Sequence, residues 1–317
     1  MARQQDRDGF TRPWLVVLVL GVAMSATVTG TAATPVPTQD RFSTPQEAVD
    51  ALVAATRSDQ TAELARILGP TGASLIRSGD PVADRDARQR FIAAYEQRHR
   101  IELRGSDKAE LMVGPESWPM PIPLVHTPSG WQFDTAAGRQ EILDRRIGRD
   151  ELAVIQVCRA YVQAQRQYAA VTARSGAGTE YAQHFMSRDG RHDGLYWPTR
   201  PGQLQSPLGP LVAQARVAGY APGGARGKPH PYYGYYFRIL TAQGPHAPGG
   251  ARSYLVDGRL TGGFALLAYP ASYGDSGIMT FIVSQDGIVF QRNLGPQTAK
   301  TAAQIVRYDP DSGWSPP

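Results

Sequence analysis

The sequence predicts an α+β chain in which helices precede antiparallel strands, and it does so twice along its length. Three observations carry this. The stretch 263–292, GFALLAYPASYGDSGIMTFIVSQDGIVFQR, reads as three successive strands over 264–269, 278–283 and 288–292. Aromatic and branched residues supply the strand-forming mass, and the second join, Ser284-Gln285-Asp286-Gly287, ends in Asp-Gly, a hairpin signal because Gly accepts positive φ. Near the other end, Thr44-Pro45-Gln46-Glu47 is a helix start, with Thr as cap, Pro at the first helical position and Glu three residues after the cap. In mid-chain, 150–171 places Val154, Ile155, Cys158, Tyr161, Val162 and Tyr168 on one helical face and Gln156, Arg159, Gln163 and Arg166 on the other.

A length of 317 residues suits two folded domains. The expected division is a secretory signal over 1–33, a linker over 34–41, a first α+β domain over 42–147 and a second over 148–317. The formal net charge is +5, and only Lys108, Lys228 and Lys300 among the basic residues are lysines. These charges are dispersed among acids, so no nucleic-acid partner is expected. Cys158 is the single cysteine, which excludes an internal disulfide and a Cys-based zinc site. Its place on the apolar helical face makes it a buried structural thiol. The sequence offers no phosphate cradle or metal-ligand cluster, so no cofactor is expected.

The N-terminus reads as an address. Arg3, Arg7 and Arg12 precede an apolar run beginning at Trp14, and small residues follow to Ala33. That is the order of a secretory signal, with cleavage expected near Ala33 and a periplasmic destination. The run is shorter than the roughly 20 apolar residues of a comfortable span. The alternative is an uncleaved inner-membrane anchor, in which the segment from Trp14 to Val28 is the only membrane contact. Gly9-Phe10-Thr11 resembles a prepilin-peptidase junction, but Trp14 stands where that pattern wants Glu.

In the first region, helices are expected over 44–56, 61–68 and 84–99, and strands over 108–113, 120–126 and 130–134. Pro119, Pro121 and Pro123 alternate, so the middle strand should be an edge or irregular. The opening Ser43-Thr44-Pro45-Gln46-Glu47 helix and the closing Gly130-Trp131-Gln132-Phe133-Asp134 strand resemble NTF2-like domains. That resemblance implies a curved antiparallel sheet and, in some members, a small-molecule pocket. Tyr95, Trp118, Trp131 and Asp134 are the candidates to line one.

In the second region a short helix over 208–218 lies within a Gly/Pro-rich passage, followed by an aromatic strand over 232–240. Tyr233, Tyr235 and Phe237 would share one face of that strand, and Tyr232, Tyr236 and Arg238 the other. The wet face is a candidate platform for a glycan or an envelope protein. The helix, variable loop and meander, with Gly274-Asp275-Ser276-Gly277 and Gln285-Asp286-Gly287 in the ending, resemble a type IV pilin or pseudopilin globular domain. The amphipathic 150–171 helix departs from a pilin's hydrophobic stem.

Six stretches together resemble the bacterial exported-protein family catalogued as domain of unknown function 2950. They are Ser78-Gly79-Asp80-Pro81-Val82-Ala83-Asp84, Arg145-Arg146-Ile147-Gly148-Arg149, Asp193-Gly194-Leu195-Tyr196-Trp197-Pro198, Ser206-Pro207-Leu208-Gly209-Pro210-Leu211, Leu240-Thr241-Ala242-Gln243-Gly244-Pro245 and Asp309-Pro310-Asp311-Ser312-Gly313-Trp314. The resemblance implies an exported protein and brings no catalytic residues.

Two motifs carry conceivable chemistry. Gly274-Asp275-Ser276-Gly277 spells a serine-protease nucleophile motif, which needs a His beside Ser276 and an oxyanion hole. Ile278 replaces that motif's second glycine, and none of the six histidines has the matching context. His184, Asp189, His192 and Asp193 cluster without an established metal spacing, as a solvated turn does. The expected function is therefore a non-enzymatic binding or assembly role in the cell envelope, with tentative contacts at Tyr232, Tyr233, Tyr235, Tyr236, Trp118 and Trp131. The alternative is a small-molecule binder or hydrolase using the N-terminal pocket.

Overall fold

The computed structural model describes residues 38–176, 178–200, 202–220 and 230–317; the N-terminal address and Lys228 lie outside them. The chain opens with α1 (Pro45–Arg57), where the Thr44 hydroxyl accepts the Glu47 N–H (3.1 Å) and the Glu47 carboxylate takes the Ser43 N–H (3.0 Å). This capping box fixes the helix start. There follow α2 (Thr61–Leu68), α3 (Ala73–Ile76) and α4 (Pro81–Gln97). Strands β1 (His99–Leu103), β2 (Lys108–Val113), β3 (Trp118–Pro119), β4 (Leu124–Thr127) and β5 (Gly130–Phe133) form an antiparallel sheet in the order β1-β2-β4-β5, with β3 also on β2. Ala48, Val49, Leu52, Leu64, Ile67, Leu111, Leu124 and Phe133 close this first core.

Helix α5 (Thr135–Arg174) then carries the chain to a second core. At 40 residues it is about 60 Å long. Its later turns bury Val154, Ile155, Cys158, Tyr161, Val162 and Tyr168, the six residues placed there by periodicity. Next come β6 (His184–Met186) and β7 (Gly194–Tyr196), a parallel pair, and α6 (Gly209–Val217). The rest is β8 (Tyr235–Leu240), β9 (Ala242–Gln243), β10 (Arg252–Ser253), β11 (Leu255–Val256), β12 (Arg259–Leu260), β13 (Ala265–Pro270), β14 (Met279–Ser284), β15 (Val289–Asn293) and α7 (Thr298–Gln304). The larger sheet runs β15-β14-β13-β8, antiparallel throughout. Strand β13 touches both α5 and α7, and Ala265 to Ala268 are fully buried. Burial on both faces accounts for its unbroken apolar run. The C-terminal tail bridges Gln291 through Ser315 and so covers the β15 edge.

The architecture is α+β, as the sequence predicts, with three local departures. Of the expected strand over 120–126 only 124–126 lies in a strand, β4, because Pro121 and Pro123 have no N–H to give a ladder. The expected helix start near Asp150 lies at Thr135, where the Asp134 carboxylate caps the Ala137 N–H (3.2 Å). Gly138 and Gly148 obscure those early turns, since glycine is a poor helix former. The helix over 84–99 starts at Pro81, capped by Asp80.

Gly138 is required by contact rather than conformation. A Cβ there would lie 2.2 Å from the Pro121 carbonyl oxygen, whereas one on Gly148 meets nothing within 4 Å. Gly138→Ala is therefore expected to cost about 1–3 kcal/mol through overpacking. Gly148→Ala should be neutral or stabilising by about 0.5–1 kcal/mol. Denaturant titration of both variants checks the contrast; equal effects would contradict the close packing of α5 on the 121–122 peptide.

Candidate functional site

The residues with unusual chemistry gather where α4 begins, around the middle of α5, and at the turn before β8. Asp80 is fully buried and accepts four hydrogen bonds. Its Oδ1 takes the Val82 and Ala83 N–H groups (3.1 Å each), which makes it the N-cap of α4. Its Oδ2 takes the Tyr220 hydroxyl (2.8 Å) and the Gly234 N–H (2.9 Å), from residues far along the chain. Four donors on one side chain leave it no free lone pair for chemistry.

Around this carboxylate lies a set of buried charges. Both Asp84 oxygens take the Ser78 N–H (3.1 and 3.0 Å), and burial raises the Asp84 pKa against that hydrogen bonding. Arg146 donates to the Ser74 and Leu75 carbonyls (2.7 Å each). The Asp150 side chain is only 3% exposed, and its Oδ1 takes Nε and Nη2 of Arg149 (3.2 Å each). Its Oδ2 takes no hydrogen bond from any described residue and faces the turn at Gly234, where a Cβ would come within 3.4 Å of it. Burial pushes Asp150 up to about 6, opposed by Arg149 and Arg146 and assisted by the neighbouring Asp80. Glu151, next along, uses Oε1 to hold the Ile278 and Met279 N–H groups (2.9 Å each).

Of these groups Asp150 and Arg149 border a cavity of about 80 Å³ walled also by Asp86, Arg90, Tyr220 and Tyr233, with small apolar neighbours from α4 and the end of α6. Asp86 pairs with Arg90 one helical turn away. Tyr233 reaches the cavity through a sharp turn: Tyr232 and Tyr235 bond each other's backbones (2.8 and 3.2 Å), with Tyr233 at φ 50° and Gly234 at φ 70° between them. Two consecutive positive φ values are the geometry of a type I′ hairpin turn, which suits Gly at the second place and strains Tyr at the first. The Tyr220 hydroxyl accepts the Tyr233 N–H (3.3 Å) and so helps hold the strained residue.

This turn corrects the reading of a continuous aromatic strand. Because the chain reverses at 233–234, Tyr233 does not share a face with Tyr235 and Phe237. Tyr235 is fully buried, its hydroxyl donating to the Met279 carbonyl (2.9 Å). Tyr236 is half-buried and packs on Tyr269 at 5.6 Å between ring centres. Tyr232 and Tyr233 instead cluster with Tyr220, at 4.8 and 6.2 Å from its ring, and the Tyr232 hydroxyl is buried with no partner among the described residues.

The other candidates lie apart from one another. Trp131 is in the first core against His126, while Trp118 is 57% exposed and donates to Glu116 (2.7 Å). Tyr95 is a core residue stacked on His99 at 3.7 Å, and Asp134 is occupied as a cap. Of the four, Tyr95 and Trp131 are spent on core packing and Asp134 on capping, while Trp118 is exposed. Ser276 is fully buried, and its hydroxyl exchanges hydrogen bonds with the Ser272 backbone (3.0 and 3.1 Å), none with a histidine. Cys158 is fully buried, and burial raises its thiol to about 12. Asp193 is bound by Arg188 and His192 stacks on Trp197 at 4.4 Å. Among the described residues no group of three His, Cys, Asp or Glu is placed to hold a metal.

Asp80 and Arg149 stand within stretches that carry the family resemblance, whereas no motif or spacing singles out Asp150, Arg90 or Tyr220. The available signal was Asp80-Pro81, an N-cap followed by Pro at the first helical position. The stretches that carry the family resemblance do converge in pairs. Residues 78–84 and 145–149 meet here. Residues 193–198 and 206–211 meet through Leu208 N–H to Leu195 carbonyl (2.9 Å), and residues 240–245 and 309–314 through His246 N–H to Asp309 nearby (2.8 Å).

The family model described as "Protein of unknown function (DUF2950)" matches residues 39–316. No curated protein and no solved structure matches.

A folded-state pKa of about 6 for Asp150 has a stability consequence. The unfolded carboxyl ionises near its ordinary value, so between about pH 4 and pH 6 the native state binds more protons and stability falls as pH rises. The contribution is up to about 3 kcal/mol, levelling off above pH 6. Asp150→Asn should flatten this slope in urea titrations across pH 4–7; an unchanged slope would remove Asp150 as its source.

Proposed function

Because the chain belongs to the DUF2950 family over 39–316, we propose that it is a non-enzymatic binding module of the cell envelope, and that the cavity beside Asp150 is its binding centre. The observation that carries this is a nearly buried carboxylate in the wall of a tyrosine-lined cavity, Asp150, whose Oδ2 takes no hydrogen bond from any described residue. A buried charge without a full set of partners is costly, and such costs persist where a ligand completes the set. The strained Tyr233 in the same wall supports the reading, since backbone strain gathers at ligand clamps. Binding is favoured over catalysis because the nucleophile candidates, Ser276 and Cys158, are both fully buried.

Export belongs to the same proposal and rests on the basic, apolar and small-residue order of residues 1–33. So does a finer kinship of the two halves, with NTF2-like domains for the helices and first sheet and with pilin-like domains for α5 and the second sheet. It rests on the order of elements along the chain.

A second reading is favoured by a wider groove of about 410 Å³ between α1 and α4, lined by Arg57, Arg85, Arg88 and Gln89. It would place a small molecule in the N-terminal half. The groove is open, and two of its arginines are already paired, Arg57 with Glu96 (2.8 Å) and Arg88 with Asp59 (2.7 Å). It is therefore the weaker site.

Thermal denaturation of the full chain against a panel of small polar metabolites tests the proposal. A ligand at about a hundred times its Kd adds about 2.7 kcal/mol and should raise Tm by several degrees. The rise should vanish in Asp150→Asn and survive in Arg85→Gln. Loss in Arg85→Gln alone would transfer the site to the groove.

A further inference from the structure

The cavity's charges are arranged with the acceptor inside and the donors at the rim, which constrains what can occupy it. This argument rests on the reading of the cavity as a binding centre. Inside, Asp150 shares the wall with Tyr220 and Tyr233, and its Oδ2 takes no hydrogen bond from a described residue. A carboxylate flanked by aromatic faces favours a cationic donor. At the rim stand Arg149 and Arg90, whose side chains are about half exposed (49% and 51%). Arg149 spends Nε and Nη2 on Asp150, and Arg90 spends Nη1 on Asp86, so each guanidinium keeps N–H groups to offer. Guanidinium forks match a carboxylate in shape and charge.

Acceptor and donor are also close together. Asp150 Oδ1 lies 3.2 Å from the Arg149 guanidinium, so the two ends of the site are side by side. An α-amino acid carries its ammonium and carboxylate on the same carbon and presents opposite charges at that short spacing. Size points the same way. The cavity is about 80 Å³. That is room for about five waters, well below the roughly 300 Å³ of sites for drug-sized ligands. A divalent metal is a poor fit, since no triad of ligands is placed for one among the described residues and Asp80 has no free lone pair.

We propose that this cavity binds the zwitterionic head of a small free α-amino acid, its ammonium on Asp150 Oδ2 and its carboxylate on Arg149 and Arg90. Small neutral or single-charged molecules satisfy only one end of the site. The ammonium end requires ionised Asp150, which faces Arg149 and Arg146 on α5, Asp80, Asp86 and Arg90 from α4 and its cap, and Tyr220 and Tyr233 across the cavity. Binding therefore weakens as pH falls through about 6.

Calorimetric titration of the full chain at pH 7.5 with glycine, L-alanine, methylammonium and acetate tests this. Glycine and alanine are expected to bind at least tenfold more tightly than either single-charge probe, and at least tenfold more weakly at pH 5. Asp150→Asn should abolish the binding. Arg90→Gln, which alters only a half-exposed rim residue, should weaken it about tenfold with Tm unchanged. Methylammonium or acetate binding as tightly as glycine would overturn the amino-acid assignment and leave the cavity a cation or anion site. No binding of any of the four, while the metabolite panel still shows an Asp150-dependent rise in Tm, would overturn it too. If that Asp150-dependent rise is also missing, the binding-centre reading falls with it.

Discussion

The hydrogen bonds to the Asp80 carboxylate are what the rest of the structure depends on. The chain builds two hydrophobic cores, one from α1, α2 and the first sheet, the other from α5 and the second sheet. Asp80 belongs to the entry of α4 and also holds Gly234 and Tyr220 from the second half of the sequence. Taking a carboxylate out of water is expensive unless donors replace the lost hydration, and charge-assisted bonds from four directions supply that. The arrangement is demanding. The Gly234 N–H reaches Asp80 only if the chain turns sharply at 233–234, and that turn swings the Tyr233 ring onto the cavity wall. The carboxylate that fastens the halves thus also shapes the site.

Asp150 feels the same constraint electrically. It sits on α5 behind Gly234, where burial is the main cause that raises its pKa and the neighbouring Asp80 adds to it. Arg149 and Arg146 offset part of this, which is why its pKa rises to about 6 and no further. Local electrostatics here follow first from burial and only then from the charge at Asp80.

Sequence reasoning reached the elements whose signals are local. The capping box at Thr44 and Glu47, the apolar stripe of α5 and the 263–292 meander are each encoded within a few residues, and each stands where periodicity placed it. Errors arose where a local signal was ambiguous. Asp134 caps α5 some fifteen residues before the periodic stripe becomes strong, and the two glycines in between look like a helix end. Tyr232 to Phe237 reads as a strand because nothing in Tyr-Tyr-Gly-Tyr announces that a tyrosine, and not Asn or Asp, will occupy the first positive-φ position of a turn. The site was illegible for a different reason. Asp80 and Gly234 are 154 positions apart, and Tyr220 is 140 from Asp80. No spacing rule spans such distances; only the folded topology brings them together.

The six stretches that carry the family resemblance gain a physical meaning from this. Each is unremarkable as a motif, being rich in Gly, Pro, Asp and Ser, the composition of loops. In the fold they are contacts between segments distant in sequence: Arg146 on the 74–75 carbonyls, Leu208 on Leu195, Asp309 on the 244–246 turn, where a Cβ on Gly244 would come within 2.3 Å of the carboxylate. Small residues and carboxylates are needed at such places because backbone must approach backbone and stray N–H groups must be answered. The junction of Leu195 and Leu208 leaves the buried Ser206 hydroxyl without a partner among the described residues, while Asp309 answers the His246 N–H. The junction at Asp80 differs, because beside it a nearly buried carboxylate, Asp150, lines a cavity together with a strained tyrosine. That buried charge is the reason to look for a ligand there first.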